Sequence, residues 1–261
     1  MGLLEIIDYY YVELADPRMK NWFLMKSIWS PILIVLFYII VIFKLAPEYM
    51  KNRPAYKFNT FIKCYNIFQV IANAILVKEF ASCYQFHRAF ECREVIYTMD
   101  PCATKIMYGS YVTMLLKIID LIETVLFILR KKKSQVTILH VYHHISTVLI
   151  GMIFSRYFSV NMALLFPILN CSVHVIMYTY YFFSNFEGSI KQKILPFKRY
   201  LTIIQMVQFV ILLFQLFFAF PKSCPLPKIP FGIMFLNMAL NLGLFYNFYR
   251  KTYFNQKEKK K

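Results

Sequence analysis

The sequence predicts an all-α integral membrane protein with seven transmembrane helices. Three observations predict it. Of 261 residues 59% are hydrophobic and only 16% charged, whereas an ordinary soluble domain is about 45–50% apolar and about 25% charged. Seven apolar stretches approach the ~20 residues a helix needs to cross a bilayer. The net charge of +17 is distributed in alternating segments between those stretches. Six Gly and 11 Pro exclude collagen-like or low-complexity chains, and six Cys are too sparse for a disulfide scaffold. A soluble nucleic-acid binder of this basicity would not carry so much apolar sequence.

The expected spans are 28–46, 58–78, 108–129, 136–154, 160–183, 200–220 and 230–249. Residues 1–27 precede them as a lumenal segment with no cleavable signal pattern, so the first helix is expected to be an uncleaved anchor. The segments after spans one, three, five and seven hold eighteen basic residues against Glu48, Glu187 and Glu258, a net +15, while the opposite side carries +2. The positive-inside rule places the +15 side in the cytosol, the N-terminus in the lumen and the basic tail 250–261 in the cytosol. The tail's Lys257 and Lys259 resemble a dilysine retrieval signal of the endoplasmic reticulum; a basic tail also suits anionic lipid.

Three cysteines, Cys92, Cys102 and Cys224, fall on the non-cytosolic side, where disulfides form; Cys92 with Cys224 is the candidate pair between the two loops. Cys64, Cys83 and Cys171 read as small buried thiols at or near spans. The single glycosylation sequon, at Asn170, lies inside a span and is discounted.

Ionisable residues within spans are costly and mark function. Span three holds Lys117, Asp120, Glu123 and Thr124; span four His140, His143 and His144; span five Asn170, His174, Tyr178, Tyr180 and Tyr181; span six Thr202, Gln205 and Gln208. Asn73, Asn237 and Asn241 are further polar residues. Lys117, Asp120 and Thr124 share a stripe at i, i+3, i+7, and His143 and His144 both lie on the face of His140. At 1.5 Å per residue, Asp120, His143 and His174 each lie about 15 Å from the cytosolic end of their spans, and Gln205 and Gln208 lie at about 9–14 Å. The spacing therefore predicts one polar chamber just below the cytosolic surface. Hydrogen bonding between helices explains Gln and Thr but not four histidines plus three charges.

Imidazoles at i and i+4 suit a metal, and membrane desaturases and hydroxylases carry such boxes. Their di-iron sites need more histidines than the five in this chain, of which His87 lies on the other side. A neutral imidazole acting as nucleophile on a thioester, or as a proton carrier, is the other reading.

Lys117-Ile-Ile-Asp120-Leu-Ile-Glu123-Thr124 resembles the KxxExxDT motif of the very-long-chain fatty acid elongases, the ELO family. His140-Val-Tyr-His143-His144 is similar to their HxxHH box, His174-Val-Ile-Met177-Tyr178-Thr-Tyr180-Tyr181 to HxxMYxYY, and Thr202-Ile-Ile-Gln205-Met-Val-Gln208 to TxxQxxQ. All four occur in the family's order and spacing, and the resemblance covers essentially the whole chain, residues 1–261, as a single elongase transmembrane domain. One departure is that the family's Glu and Asp are exchanged, as Asp120 and Glu123.

The resemblance implies an enzyme of the endoplasmic reticulum that condenses a long-chain acyl-CoA with malonyl-CoA. The products are a 3-oxoacyl-CoA two carbons longer, CO2 and CoA. It implies that spans two to seven ring a narrow tunnel for the acyl chain, and it implies no metal or cofactor. His143 is the expected acyl acceptor, with His140 and His144 orienting it or moving protons. His174 would polarise the thioester or assist decarboxylation. Asp120 and Glu123 would fix histidine tautomers, and Lys117 would neutralise one of them or meet the malonyl carboxylate. Asn170, Tyr178, Tyr181, Thr202, Gln205 and Gln208 are candidate substrate contacts. Lys131, Lys132, Lys198 and Arg199 are candidates for CoA phosphates. Expected partners are the two CoA esters, membrane lipid, a second copy of the chain and other enzymes of the elongation cycle, and no nucleic acid. A metal-dependent desaturase or hydroxylase and a seven-span receptor or transporter are the competing classes.

Overall fold

The computed structural model describes residues 2, 5, 9, 11, 15–92, 96–157, 161–218, 221, 224 and 228–254. Every regular element among them is helical. The long helices are α1 (Trp29–Met50) and α2 (Asn59–Cys83). Then come α3 (Pro101–Asp120), α4 (Ile122–Leu129), α5 (Ile138–Tyr157) and α6 (Leu165–Ser184), followed by the short α7 (Ser189–Ile194), α8 (Lys198–Phe217) and α9 (Lys228–Tyr249). Lys257 and Lys259 lie outside the described residues.

The outward faces of these helices are apolar. Leu33, Phe37 and Phe43 on α1 and Ile67, Ile71 and Ile75 on α2 are exposed, while Gln69, Asn73, Gln215 and Asn241 are buried. That inside-out distribution is the arrangement a lipid solvent selects, since no water competes for the amides in the interior. Among the described residues five helices are long and apolar enough to cross a membrane: α1, α2, α5, the α7–α8 run and α9 with its extension to Phe254. Two of the seven expected spans fall outside that set. The third is split at Leu121 and carries Lys105, Lys117 and Asp120 in its first part. The fifth, α6, is diluted by Asn170, His174 and its tyrosines.

The chain divides into two units, residues 1–57 with 95–160 and residues 58–94 with 161–261. In the first, α5 packs on α3 and α1, and the end of α1 packs on α4. Its core is rich in methionine, with Met19, Met25, Met107, Met114 and Met152 around Tyr38 and Val148; unbranched thioethers fill irregular gaps between helices. Pro47 interrupts α1. Proline lacks the N–H and crowds the carbonyl four residues back, and the helix widens into a π turn over Val41–Leu45 just before it. α3 begins at a cap: Asp100 accepts from the N–H of Ala103 at 2.9 Å, with Pro101 in the first position. The Thr98 hydroxyl and that N–H hold the Asp100 carboxyl below its ordinary range.

Arg156, which sequence arithmetic treats as a loop charge, is fully buried. It sits in the last turn of α5, a position that favours a cation. Its guanidinium donates to the carbonyls of Tyr11 and Met25 and stacks 4.2 Å from the Tyr11 ring. The Asp16 N–H returns a bond to the Arg156 carbonyl at 2.9 Å. The segment before α1 is thereby fastened to the end of α5.

In the second unit α2 packs along α6, and α8 packs on both α6 and α9. Cys92 and Cys224 are disulfide-joined with Cα atoms 5.3 Å apart, within the span such a bridge accepts. Two cysteine expectations are corrected. Cys64 is exposed on the outer face of α2 rather than buried. Cys83 is disulfide-bonded rather than a thiol. Helix α9 continues as a π turn over Arg250–Phe254, so the first residues of the expected basic tail, Arg250 and Lys251, are helical.

Candidate active site

In the first unit the break at Leu121 distributes the span-three residues. Its N–H turns back to the carbonyls of Ile118 and Ile119, ending α3, and α4 restarts one residue later. Lys117 and Asp120, in the last turn of α3, are both buried and paired, with Nζ 3.1 Å from the carboxylate. Glu123, in the first turn of α4, has its carboxylate 3.9 Å from Nε2 of His144. The two carboxylates thus take different neighbours, Asp120 a lysine and Glu123 a histidine.

Helix α5 starts at a threonine cap: the Thr137 hydroxyl accepts from the His140 N–H at 3.1 Å. This places all three histidines within the first two turns. Nε2 of His140 lies 2.9 Å from the Thr124 hydroxyl, which lies 2.7 Å from the Tyr38 hydroxyl. Thr124 is wholly buried. The His140 and His144 rings are 4.2 Å apart, His143 and His144 6.0 Å, and Phe127 lies 5.2 Å from His140. His143 is half-buried, His144 buried. Tyr38 is the residue sequence reasoning missed here. Its signal was available, since it is the one hydroxyl in the apolar run 31–43.

Among the described residues, no group of three or more His, Cys, Asp or Glu is arranged to hold a metal ion. What the cluster offers is an imidazole set with one member fixed by a hydrogen-bonded hydroxyl and another beside a carboxylate. This suits nucleophilic or proton-transfer chemistry.

In the second unit His174 and Tyr178 are both buried on α6, their rings 5.5 Å apart. Tyr65 of α2 meets Tyr178 edge to face at 6.0 Å, and Tyr181 follows at 6.1 Å. Gln205 of α8 reaches the Met177 sulfur at 3.5 Å. Gln208 and Thr202 are buried, and Thr202 bonds back to the Lys198 carbonyl at 3.4 Å. Asn170 is half-buried one turn before His174. Sequence reasoning also missed Tyr65 and Gln69. With Asn73 they recur every fourth residue on α2, and that period was the available signal.

The candidate phosphate contacts are solvent-facing. Lys131, Lys132 and Lys198 are exposed. Lys131 has φ +54°, and the Lys132 N–H closes onto the Phe127 carbonyl at 2.8 Å. This is a helix-ending turn whose left-handed position glycine usually fills. Arg199 donates from Nε to the Tyr249 hydroxyl at 2.7 Å.

The family model described as ELO, the GNS1/SUR4 family, matches residues 23–261. The chain is 33% identical over 248 residues to very long chain fatty acid elongase 4 of Mus musculus, covering 95% of this chain and 79% of that one. It is 32% identical over 247 residues to very long chain fatty acid elongase 7 of Rattus norvegicus, covering 93% and 87%. With very long chain fatty acid elongase 2 of Mus musculus it shares 32% over 251 residues, covering 94% and 83%.

Proposed function

The chain belongs to the GNS1/SUR4, or ELO, family, and from that premise we propose how its residues carry out fatty acid elongation. It is a multi-pass membrane protein and an elongation enzyme of the condensation step, acting on acyl-CoA and malonyl-CoA. The family match over residues 23–261 is the observation that carries this reading.

Our proposal is a 3-oxoacyl-CoA synthase that works in two steps. In the first, a neutral His143 nitrogen attacks the acyl-CoA thioester. An acyl–imidazole bond forms, the carbon–sulfur bond breaks, and CoA leaves as thiolate to be protonated. In the second, malonyl-CoA loses CO2 and its enolate carbon attacks the acyl-imidazole carbonyl. The new carbon–carbon bond expels the imidazole and yields 3-oxoacyl-CoA. The likeness of His140-Val-Tyr-His143-His144 to the family's HxxHH box supports giving the acyl group to His143, while the Thr124 hydroxyl beside His140 and Glu123 beside His144 support orienting or proton-moving roles for those two. The buried His174–Tyr178 pair supports a role in polarising a thioester or enolate oxygen.

The same proposal includes an apolar tunnel for the acyl chain. It assigns CoA phosphates to Lys131, Lys132, Lys198 and Arg199, and substrate contacts to Asn170, Tyr181, Thr202, Gln205 and Gln208. It needs no cofactor. Residues 1–261 act as one elongase domain in the endoplasmic reticulum, with the +15 side cytosolic and Lys257 and Lys259 as its retrieval signal. A second copy and other enzymes of the cycle are its expected protein partners.

The test is mass spectrometry of purified protein given acyl-CoA alone. A mass gain of one acyl group with stoichiometric free CoA is expected, and His143→Ala should abolish both the adduct and condensation while expressing normally. Full condensing activity in that variant, or no adduct in the wild type, removes the two-step scheme.

A further inference from the structure

The buried face of α2 changes character along its length. Leu76 and Phe80 continue it toward the C-terminal end as ordinary apolar packing, but Tyr65, Gln69 and Asn73 make its first half polar. All three are at most 9% exposed. They form a chain in which Asn73 Nδ2 donates to Gln69 Oε1 at 3.1 Å and to the Gln69 carbonyl at 2.8 Å. Gln69 Nε2 then donates to the Tyr65 hydroxyl at 3.0 Å. Buried polar groups are costly unless satisfied, and a phenol and two amides on one stripe exceed what seating a helix in a bilayer requires.

The stripe has a specific neighbour. Lys63 lies 4.0 Å over the Phe186 ring, and Tyr65 meets Tyr178. The beginning of α2 therefore packs on the end of α6, and the two helices run antiparallel. Each four-residue step along α2 is matched by a four-residue step back along α6, both rising about 6 Å. From the Tyr65–Tyr178 contact, one step brings Gln69 opposite His174, and a second brings Asn73 opposite Asn170. Two polar stripes thus face each other along one seam.

We propose that Gln69 is a positioning residue for His174. Its amide is held by Asn73 on one side and Tyr65 on the other, so its plane cannot turn. A primary amide carries two N–H donors. Tyr65 takes one, and the second donates across the seam to an imidazole nitrogen of His174. A neutral imidazole that accepts at one nitrogen carries its proton on the other. Gln69 thereby fixes the tautomer in which His174 presents an N–H donor to the thioester or enolate oxygen. Tyr65, which also packs edge-on against Tyr178, anchors the arrangement. This inference rests on the proposed role of His174 in condensation.

The test compares Gln69→Leu, Gln69→Glu, Tyr65→Phe and His174→Ala in purified full-length protein, with kcat and KM measured for both CoA esters. Gln69→Leu and Gln69→Glu are expected to lower kcat at least tenfold with KM changed less than twofold. The carboxylate fails because it can only accept, which reverses the imidazole's proton. Tyr65→Phe keeps the ring packing and should lower kcat severalfold, with a sub-multiplicative effect when combined with Gln69→Leu. Wild-type kcat in Tyr65→Phe and Gln69→Glu overturns the inference, as does a loss that tracks only the amount of folded protein or a rise in KM. If His174→Ala is inactive while the Gln69 variants are normal, only this inference fails. If His174→Ala is fully active, the assigned role of His174 fails.

Discussion

Thr124 joins two helices and a histidine through one hydroxyl, with Tyr38 at 2.7 Å and His140 Nε2 at 2.9 Å. The chain runs in one of two senses, and either fixes the His140 tautomer. Thr124→Val keeps the side chain's shape but strips a partner from two buried polar groups, at a cost of about 1–3 kcal/mol for each group left unsatisfied. A lower melting temperature in detergent and a reduced kcat are expected together; an unchanged kcat would show that the His140 tautomer does not matter. The Thr124–His140 half of this chain was legible in the sequence, because both residues stand in spans where polarity is conspicuous. Tyr38 was not singled out, because a tyrosine in a first span also reads as an interfacial or packing residue. Asp120 and Glu123 were both legible as carboxylates, but their different neighbours depend on the break at Leu121, which nothing in Leu-Ile-Glu announces.

At the scale of elements, the turn after α4 is informative because it ends in the wrong residue. The position closing this helix needs the left-handed region, where glycine fits and other residues cost about 1–2 kcal/mol. Lys131 occupies it, which suggests that its ammonium is worth more than the strain. Lys131→Gly separates the two effects. The variant should melt higher, since strain is relieved. It should also show a several-fold higher KM for acyl-CoA, because a phosphate contact is lost, with the difference shrinking at high salt as screening weakens the wild-type contact. An unchanged KM would leave Lys131 as a topology signal alone. Helix existence was readable from apolar length almost everywhere, and the four motifs were readable from helical spacing. Helix ends were less so: α3 starts seven residues before the expected edge, and α9 runs on to Phe254. Caps such as Asp100 decide those ends, and hydropathy does not register them.

Across the whole molecule, the charge distribution separates what counting can do from what packing does. Treating each base outside a span as solvated fits the exposed Lys131, Lys132 and Lys198, but it misjudged Arg156, which is buried and holds the carbonyls of Tyr11 and Met25. A cation there serves the fold, fastening the chain before α1 to the end of α5. Arg156→Met retains an unbranched side chain of similar reach but no donors, so both carbonyls lose their partner, at about 1–3 kcal/mol each. The segment 15–26 also rests on Met19 and Met25 in the core and on the Tyr111 hydroxyl at the Phe23 carbonyl, so the loss is expected to raise its local opening rather than to unfold the protein. Arg18, Lys20 and Lys26 then become sites for trypsin. On the proposed orientation, with the +15 face cytosolic and this segment opposite it, cleavage in sealed microsomes should occur only after the membrane is permeabilised. The wild type should resist in both conditions. Cleavage of the variant in intact vesicles would reverse the orientation, and equal resistance of variant and wild type after permeabilisation would remove Arg156 as the fastening.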